Sequence, residues 1–131
     1  YRDKAARVSA LAKDLSEVVP AGAGTGTGRV AFHSPCSLQH GQQLRGKVEA
    51  LLAGAGYELA PVADGHLCCG SAGTYSILQP VLSAQLRTRK VAALEGGAPA
   101  AIATANIGCL THLQGEARVP VRHWIELLDK D

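Results

Sequence analysis

Methionine is absent from the 131 residues, and rings are scarce: one Trp, one Phe and three Tyr. So few aromatics leave no stacking platform for single-stranded nucleic acid. Excess charge is missing as well. Lys and Arg number 13 against 11 Asp and Glu, a net charge of +2, which gives no electrostatic hold on nucleic acid or an anionic membrane. No apolar run approaches the ~20 residues that a membrane-spanning helix needs. The N-terminal stretch YRDKAARVSALAKDLSEVV is charged and amphipathic, unlike a secretory signal. The lack of an initial Met fits a piece of a longer or processed chain.

What is present suffices for one packed domain. Apolar residues make up 47% of the chain and charged ones 18%, so disorder is not expected. Val8, Leu11, Leu15 and Val18 recur at helical spacing and predict an N-terminal helix over residues 1–20, closed by Pro20. AGAGTGTG (21–28) lacks the third glycine of a G-x-G-x-x-G loop and precedes a strand instead of following one, so it reads as a flexible linker and not a dinucleotide loop.

The remaining stretch, 29–131, alternates strand and helix. RVAFH (29–33), YELAPV (57–62) and AAIATA (100–105) read as strands. Residues 37–53, with Leu44, Val48, Leu51 and Leu52 on one face, and 80–94, opened by Pro80, read as helices. Val121, Trp124, Ile125 and Leu128 mark a last helix. This order predicts an α/β domain with a parallel sheet and flanking helices, preceded by the N-terminal helix.

The chain has four cysteines, and each falls just past the end of an expected strand: Cys36 after the first, Cys68 and Cys69 after the second, Cys109 after the third. In an open parallel sheet those ends share one edge, where ligands bind. Cys36 and Cys109 also fall near helix starts, where unpaired N–H groups favour a thiolate, the metal-binding form. Adjacent cysteines point apart on a strand or a helix; a turn allowed by Gly65, Gly70 and Gly73 can aim both sulfurs together. Burial as ordinary core thiols and a strained Cys68–Cys69 disulfide are the competing readings. His112, three residues beyond Cys109, is a candidate ligand or hydrogen-bond donor. His33 and His66 fall near the site as polar neighbours, His40 as a cap or a solvent-facing residue, and His123 on an exposed face. Arg87, Arg89 and Lys90 form a basic cluster, either a solvated face or a docking patch.

Cys36, the CCG at 68–70 and Cys109 resemble the cysteine-rich CCG domain of the heterodisulfide reductase family. That family pairs a lone cysteine with Cys-Cys and then Cys-x-x-Cys; here the last element is Cys109-Leu110-Thr111-His112. VAFHSPCSLQH, HLCCGSAGTYS, TANIGCLTHL and VRHWIELL are further similar to the C-terminal part of the iron–sulfur subunits of bacterial glycolate oxidases, in which C-x-x-H is expected. Where such subunits often have Cys-Pro-Cys, this chain has Ser34-Pro35-Cys36, which sets position 34 aside as a ligand.

The resemblance implies a single CCG-type domain over 1–131, part of a longer subunit whose ferredoxin-type motifs lie elsewhere. It implies an iron–sulfur cluster of the 4Fe-4S type held by Cys36, Cys68, Cys69 and Cys109, with His112 as a further metal ligand, or alternatively a structural zinc or an assembly role. It implies electron transfer from flavin-containing subunits that oxidise glycolate to glyoxylate, no turnover by this domain alone, and a cytoplasmic location, peripheral to the inner membrane.

Overall fold

In a computed structural model, which describes residues 1–129, four strands share one sheet: β1 (Arg29–His33), β2 (Glu58–Leu59), β3 (Ala101–Thr104) and β4 (Val121–His123). Their spatial order is β2-β1-β3-β4, and every neighbouring pair is parallel. Central strands of a parallel sheet are covered on both faces and read as nearly unbroken apolar runs. VAFH in β1 and IAT in β3 are buried throughout.

Alternation along β1 and β3 divides the interior into two layers. Val30, Phe32 and Ala103 face a core built with Val48, Leu51 and Leu52 of helix α3 (Lys47–Gly54), Trp124 and Leu128. Ala31 and Ile102 face the opposite core, built with Val91 and Leu94 of α5 (Pro80–Glu95), Leu113 of α6 (Ile107–Gln114) and Cys69. The expected α/β architecture is therefore present, with helices on both faces of a parallel sheet.

Several boundaries differ from the sequence-based expectation for identifiable reasons. The N-terminal helix forms as α1 (Arg2–Leu11), and a short α2 (Leu15–Val18) follows. The break comes at Asp14, whose Oδ1 accepts from Ser16 N at 2.9 Å while its own N–H donates to Glu17 Oε2 at 2.8 Å. This capping box starts a new helix. Val8 and Leu11 remain exposed, and α1 buries no residue.

Residues 21–28 lie against the domain: Gly26 N donates to Ala55 O at 2.7 Å, Gly24 passes close to the Leu128 backbone, and Gly26 sits against the Tyr57 ring. The helix expected over 37–53 is divided into a π-helical turn (Ser37–Gly41) and α3, with Gly46 at φ +75° between them. β2 is only two residues long. Pro61 has no N–H to continue the ladder.

The last expected helix is instead β4 followed by a 3-10 turn, Trp124–Leu127. Val121 pairs with Ile102, and Ile102 N donates to Pro120 O at 2.9 Å. The apolar spacing that suggested one helical face serves two layers: Val121 enters the core with α5 and α6, whereas Trp124 and Leu128 enter the core with α3. His123 accordingly ends a strand, with Nδ1 accepting from Ile125 N at 3.4 Å.

Leu94 is fully buried. Leu94→Ala removes its contacts and leaves a cavity, so the urea midpoint should fall by the equivalent of about 2–5 kcal/mol with an unchanged denaturant slope.

Candidate metal centre

β1 and β3 are neighbours, and the chain leaves them for opposite sides of the sheet. Such a reversal of strand order opens a crevice at the carboxyl ends of the strands. At this edge His33 and Thr104 are register partners. Cys36 follows β1 and immediately precedes the π-helical turn, whose Leu38 and Gln39 N–H groups donate to Pro35 O. Cys109 lies in the first turn of α6. Asn106 caps that helix, its Oδ1 accepting from Gly108 N at 2.9 Å and Cys109 N at 3.2 Å. Both sulfurs therefore start helical segments, as the sequence predicts.

Cys68 and Cys69 sit in the loop between β2 and α4 (Tyr75–Leu78). Gly70 directs their backbone. Its φ is +93°, and a Cβ there would lie 2.5 Å from Ser83 O. Gly70 N donates to Cys68 Sγ at 3.3 Å, while Gly70 O accepts from Ser83 Oγ at 2.8 Å. Ser83 thus ties the CCG turn to α5. The result is a divided pair: Cys68 lines a cavity of about 490 Å³ together with Cys36, Cys109, Ser71 and Gly108, whereas Cys69 is buried. Cys69, Cys109 and His33 each place one ligand atom within 4.8 Å of the other two. All four cysteines are free thiols, so the vicinal disulfide is not formed.

The thiols are electrostatically coupled. A hydrogen bond from Cys109 pulls the Cys69 pKa down to about 4 against the opposing effect of burial, with His33 and the Ser71 N–H assisting. The same bond, then burial, drives Cys109 upward. Burial, followed by the charge and hydrogen bond of Cys68, raises Cys36 to about 11.

Lys90 on α5 is close enough for its charge to act on the thiols. It is 3% exposed, and its Nζ donates to Asp64 O at 2.8 Å. Burial lowers its pKa, while the Cys69 thiolate, followed by Asp64, opposes that shift. The remaining basic residues are engaged elsewhere: Arg87 pairs with Glu116 and Arg89 with Asp64, both at 2.9 Å. The expected basic cluster is therefore one buried cation and two ion pairs.

Of the sequence-selected site residues, Cys36, Cys68, Cys69 and Cys109 come together. His112 turns its Nε2 toward Ser83 Oγ at 3.3 Å. His40 Nε2 lies 3.3 Å from His66 O, which links two loops at the sheet edge. His33 is the residue that sequence reasoning undervalued. It is 2% exposed, its Nδ1 lies 2.9 Å from Thr104 Oγ1, and its Nε2 is buried without a hydrogen-bond partner. The period-two alternation carried the signal, since it puts His33 on the same face as Ala31, toward Cys69.

Two outcomes follow. Gly70→Ala forces a side chain into a positive-φ position against backbone and should destabilise the fold by at least ~1–3 kcal/mol in chemical denaturation. In the metal-free chain, ultraviolet thiolate absorbance should rise by one thiolate as the pH passes about 4. That step should vanish in Cys69→Ser and move upward in Cys109→Ser. Because the folded pKa lies below the thiol's ordinary value, Cys69's contribution to stability is complete above that value and is lost as the pH falls through about 4.

Comparison with known proteins places this geometry. The model of the CCG family, described as a cysteine-rich domain, matches residues 30–114. The glycolate oxidase iron-sulfur subunit of Escherichia coli (strain K12) is 51% identical across 99% of this chain and 33% of its own length. The protein YkgE of the same strain is 30% identical across 98% of this chain and 59% of its own length. Lactate utilization protein A of Shouchella clausii (strain KSM-K16) is 30% identical across 77% of this chain and 45% of its own length. The chain therefore spans a third to about three fifths of these relatives. The family match runs from β1 through α6 and takes in all four cysteines; the chain belongs to the CCG cysteine-rich domain family.

Proposed function

We propose that this domain holds an iron–sulfur cluster and relays electrons in a complex that oxidises glycolate. The observation that carries the reading is the convergence of Cys36, Cys68, Cys69 and Cys109 from three loops onto one end of the sheet. The likeness to a glycolate oxidase iron-sulfur subunit supports it.

The donor set fits such a group. Soft thiolates select iron–sulfur clusters and zinc over oxygen-seeking cations. Gly70 N–H already points at Cys68 Sγ, and the Ser71 N–H at Cys69. Lys90 supplies a buried positive charge toward the thiolates. When bound, an iron–sulfur cluster takes up and releases electrons one at a time, at a potential set by net charge, hydrogen bonds to sulfur and solvent exposure. The chain's part is to fix the four sulfurs, supply those N–H groups and keep water from Cys69. His112 acts on the site through Ser83, which holds Gly70.

Flavin-containing subunits are the proposed electron donors. Ile107 stands exposed between Asn106 and Gly108, and Ile77 and Leu78 stand exposed one helical turn beyond Gly73. Apolar surface beside the cavity suits a protein contact and supports a partner subunit seated over the sulfurs.

A single zinc ion is the second reading, favoured by the close trio of Cys69, Cys109 and His33. Anaerobic reconstitution with ferrous iron and sulfide separates the two. Uptake of both, with a paramagnetic signal on reduction that is lost in Cys36→Ser and Cys68→Ser, is expected. A colourless protein that retains zinc and takes up no iron would mean that the cluster reading is wrong.

A further inference from the structure

Two histidines lie near the sulfurs, and their surroundings assign them different work. His112 has a partner for its ring nitrogen, Ser83 Oγ at 3.3 Å. His33 is almost wholly buried. Its Nδ1 is committed to Thr104 Oγ1 at 2.9 Å, which leaves Nε2 buried and unpartnered. A buried polar atom with no hydrogen bond of good geometry carries a desolvation cost that only its weak interaction with the Cys69 sulfur offsets.

The unpaired nitrogen belongs to a group that shares a small volume with two sulfurs. The ligand atoms of His33, Cys69 and Cys109 all lie within 4.8 Å of one another. On one tetrahedral ion, with metal–sulfur bonds of about 2.3 Å and metal–nitrogen bonds of about 2.0–2.1 Å, ligand atoms stand roughly 3.5–4 Å apart. A contraction of at most about 1.3 Å from that 4.8 Å limit brings the trio to that spacing. The three sit on firm supports: His33 at the end of a central strand, Cys109 in a capped helix, and Cys69 in the core.

We propose that His33 Nε2 is a metal ligand beside Cys69 and Cys109, and that Thr104 is the positioning residue that fixes its tautomer. With Thr104 Oγ1 accepting from Nδ1–H, the lone pair resides on Nε2 and is free for a metal. Metal-bound histidines commonly have the other ring nitrogen held in this way. The site is thus of mixed nitrogen and sulfur character, and its metal is a transition ion that accepts both donors, either alone or as one iron of a cluster. Exchanging a thiolate for a neutral imidazole removes negative charge and raises the reduction potential of a cluster. The proposal rests on the reading that these sulfurs hold metal.

Cobalt(II) provides a probe independent of iron and sulfide. The chain is loaded with cobalt(II) anaerobically and examined by pulsed electron paramagnetic resonance, with natural-abundance histidine and with ¹⁵N-histidine. A directly bound imidazole nitrogen is expected, changing with the label, retained in His112→Gln and lost in His33→Gln. Thr104→Val should keep the fold by circular dichroism and weaken cobalt binding by about tenfold to a hundredfold. The proposal is overturned if the unsubstituted chain shows no bound nitrogen, if the coupling survives His33→Gln, or if cobalt does not bind. If His33→Gln fails to fold, retention of the nitrogen coupling in His112→Gln together with weakened cobalt binding in Thr104→Val carries the assignment. A cobalt–nitrogen signal without iron–sulfide reconstitution would reject the cluster and keep His33 as a ligand. A cluster without any bound nitrogen would do the reverse.

Discussion

Everything at this site depends on the parallel pairing of β1 with β3. The register brings Val30 against Ala101 and ends with His33 against Thr104, so two strands far apart in sequence finish side by side. Because the chain then departs in opposite directions, the loops carrying Cys36 and Cys109 diverge and leave a crevice between them. The CCG loop returns across that crevice and is tied down by Ser83. A slip of one residue in β1 would turn His33 toward α3 and Phe32 toward Cys69, because neighbouring strand residues face opposite layers. Fold and site are specified by the same hydrogen-bond ladder.

The sulfurs are also divided by how they are supported. Cys109 rests on a helix capped by Asn106, and Cys36 on a turn anchored to Pro35 O. Cys68 and Cys69 rest on a turn that only glycine can make, since Gly70 combines a positive φ with close approach to Ser83. The protein thus presents two ligands on helical starts and two on a clasp. His112 meets Ser83, which holds that clasp, and so couples α6 to the CCG turn.

Much of this was legible in the sequence because strand ends and cysteines coincide. RVAFH and AAIATA announced themselves as apolar runs between turn residues, and the position of each thiol just beyond a strand predicted convergence. What was not legible depended on long-range competition. Val121 and Trp124 have the spacing of a helix, but pairing with Ile102 converts the segment to β4. Gly46 divides a pattern that looked continuous from 37 to 53. His33 looked like a polar loop neighbour because its partners, Thr104 and the two sulfurs, are distant in sequence; only strand register brings them within reach. The basic cluster misled for a similar reason, since Asp64 and Glu116, which engage Arg89 and Arg87, come from other segments.

Lys90 is buried on α5, and its charge acts on the Cys69 thiolate without a contact. An electron arriving at any centre leaves behind a charge that its surroundings must accommodate, and in water that work falls to reorienting solvent and to small ions drifting in. Here the balancing charge is already part of helix α5, held by Asp64 O. Any charge that forms at these sulfurs therefore has one fixed positive charge in its surroundings. That arrangement follows from where one lysine is anchored.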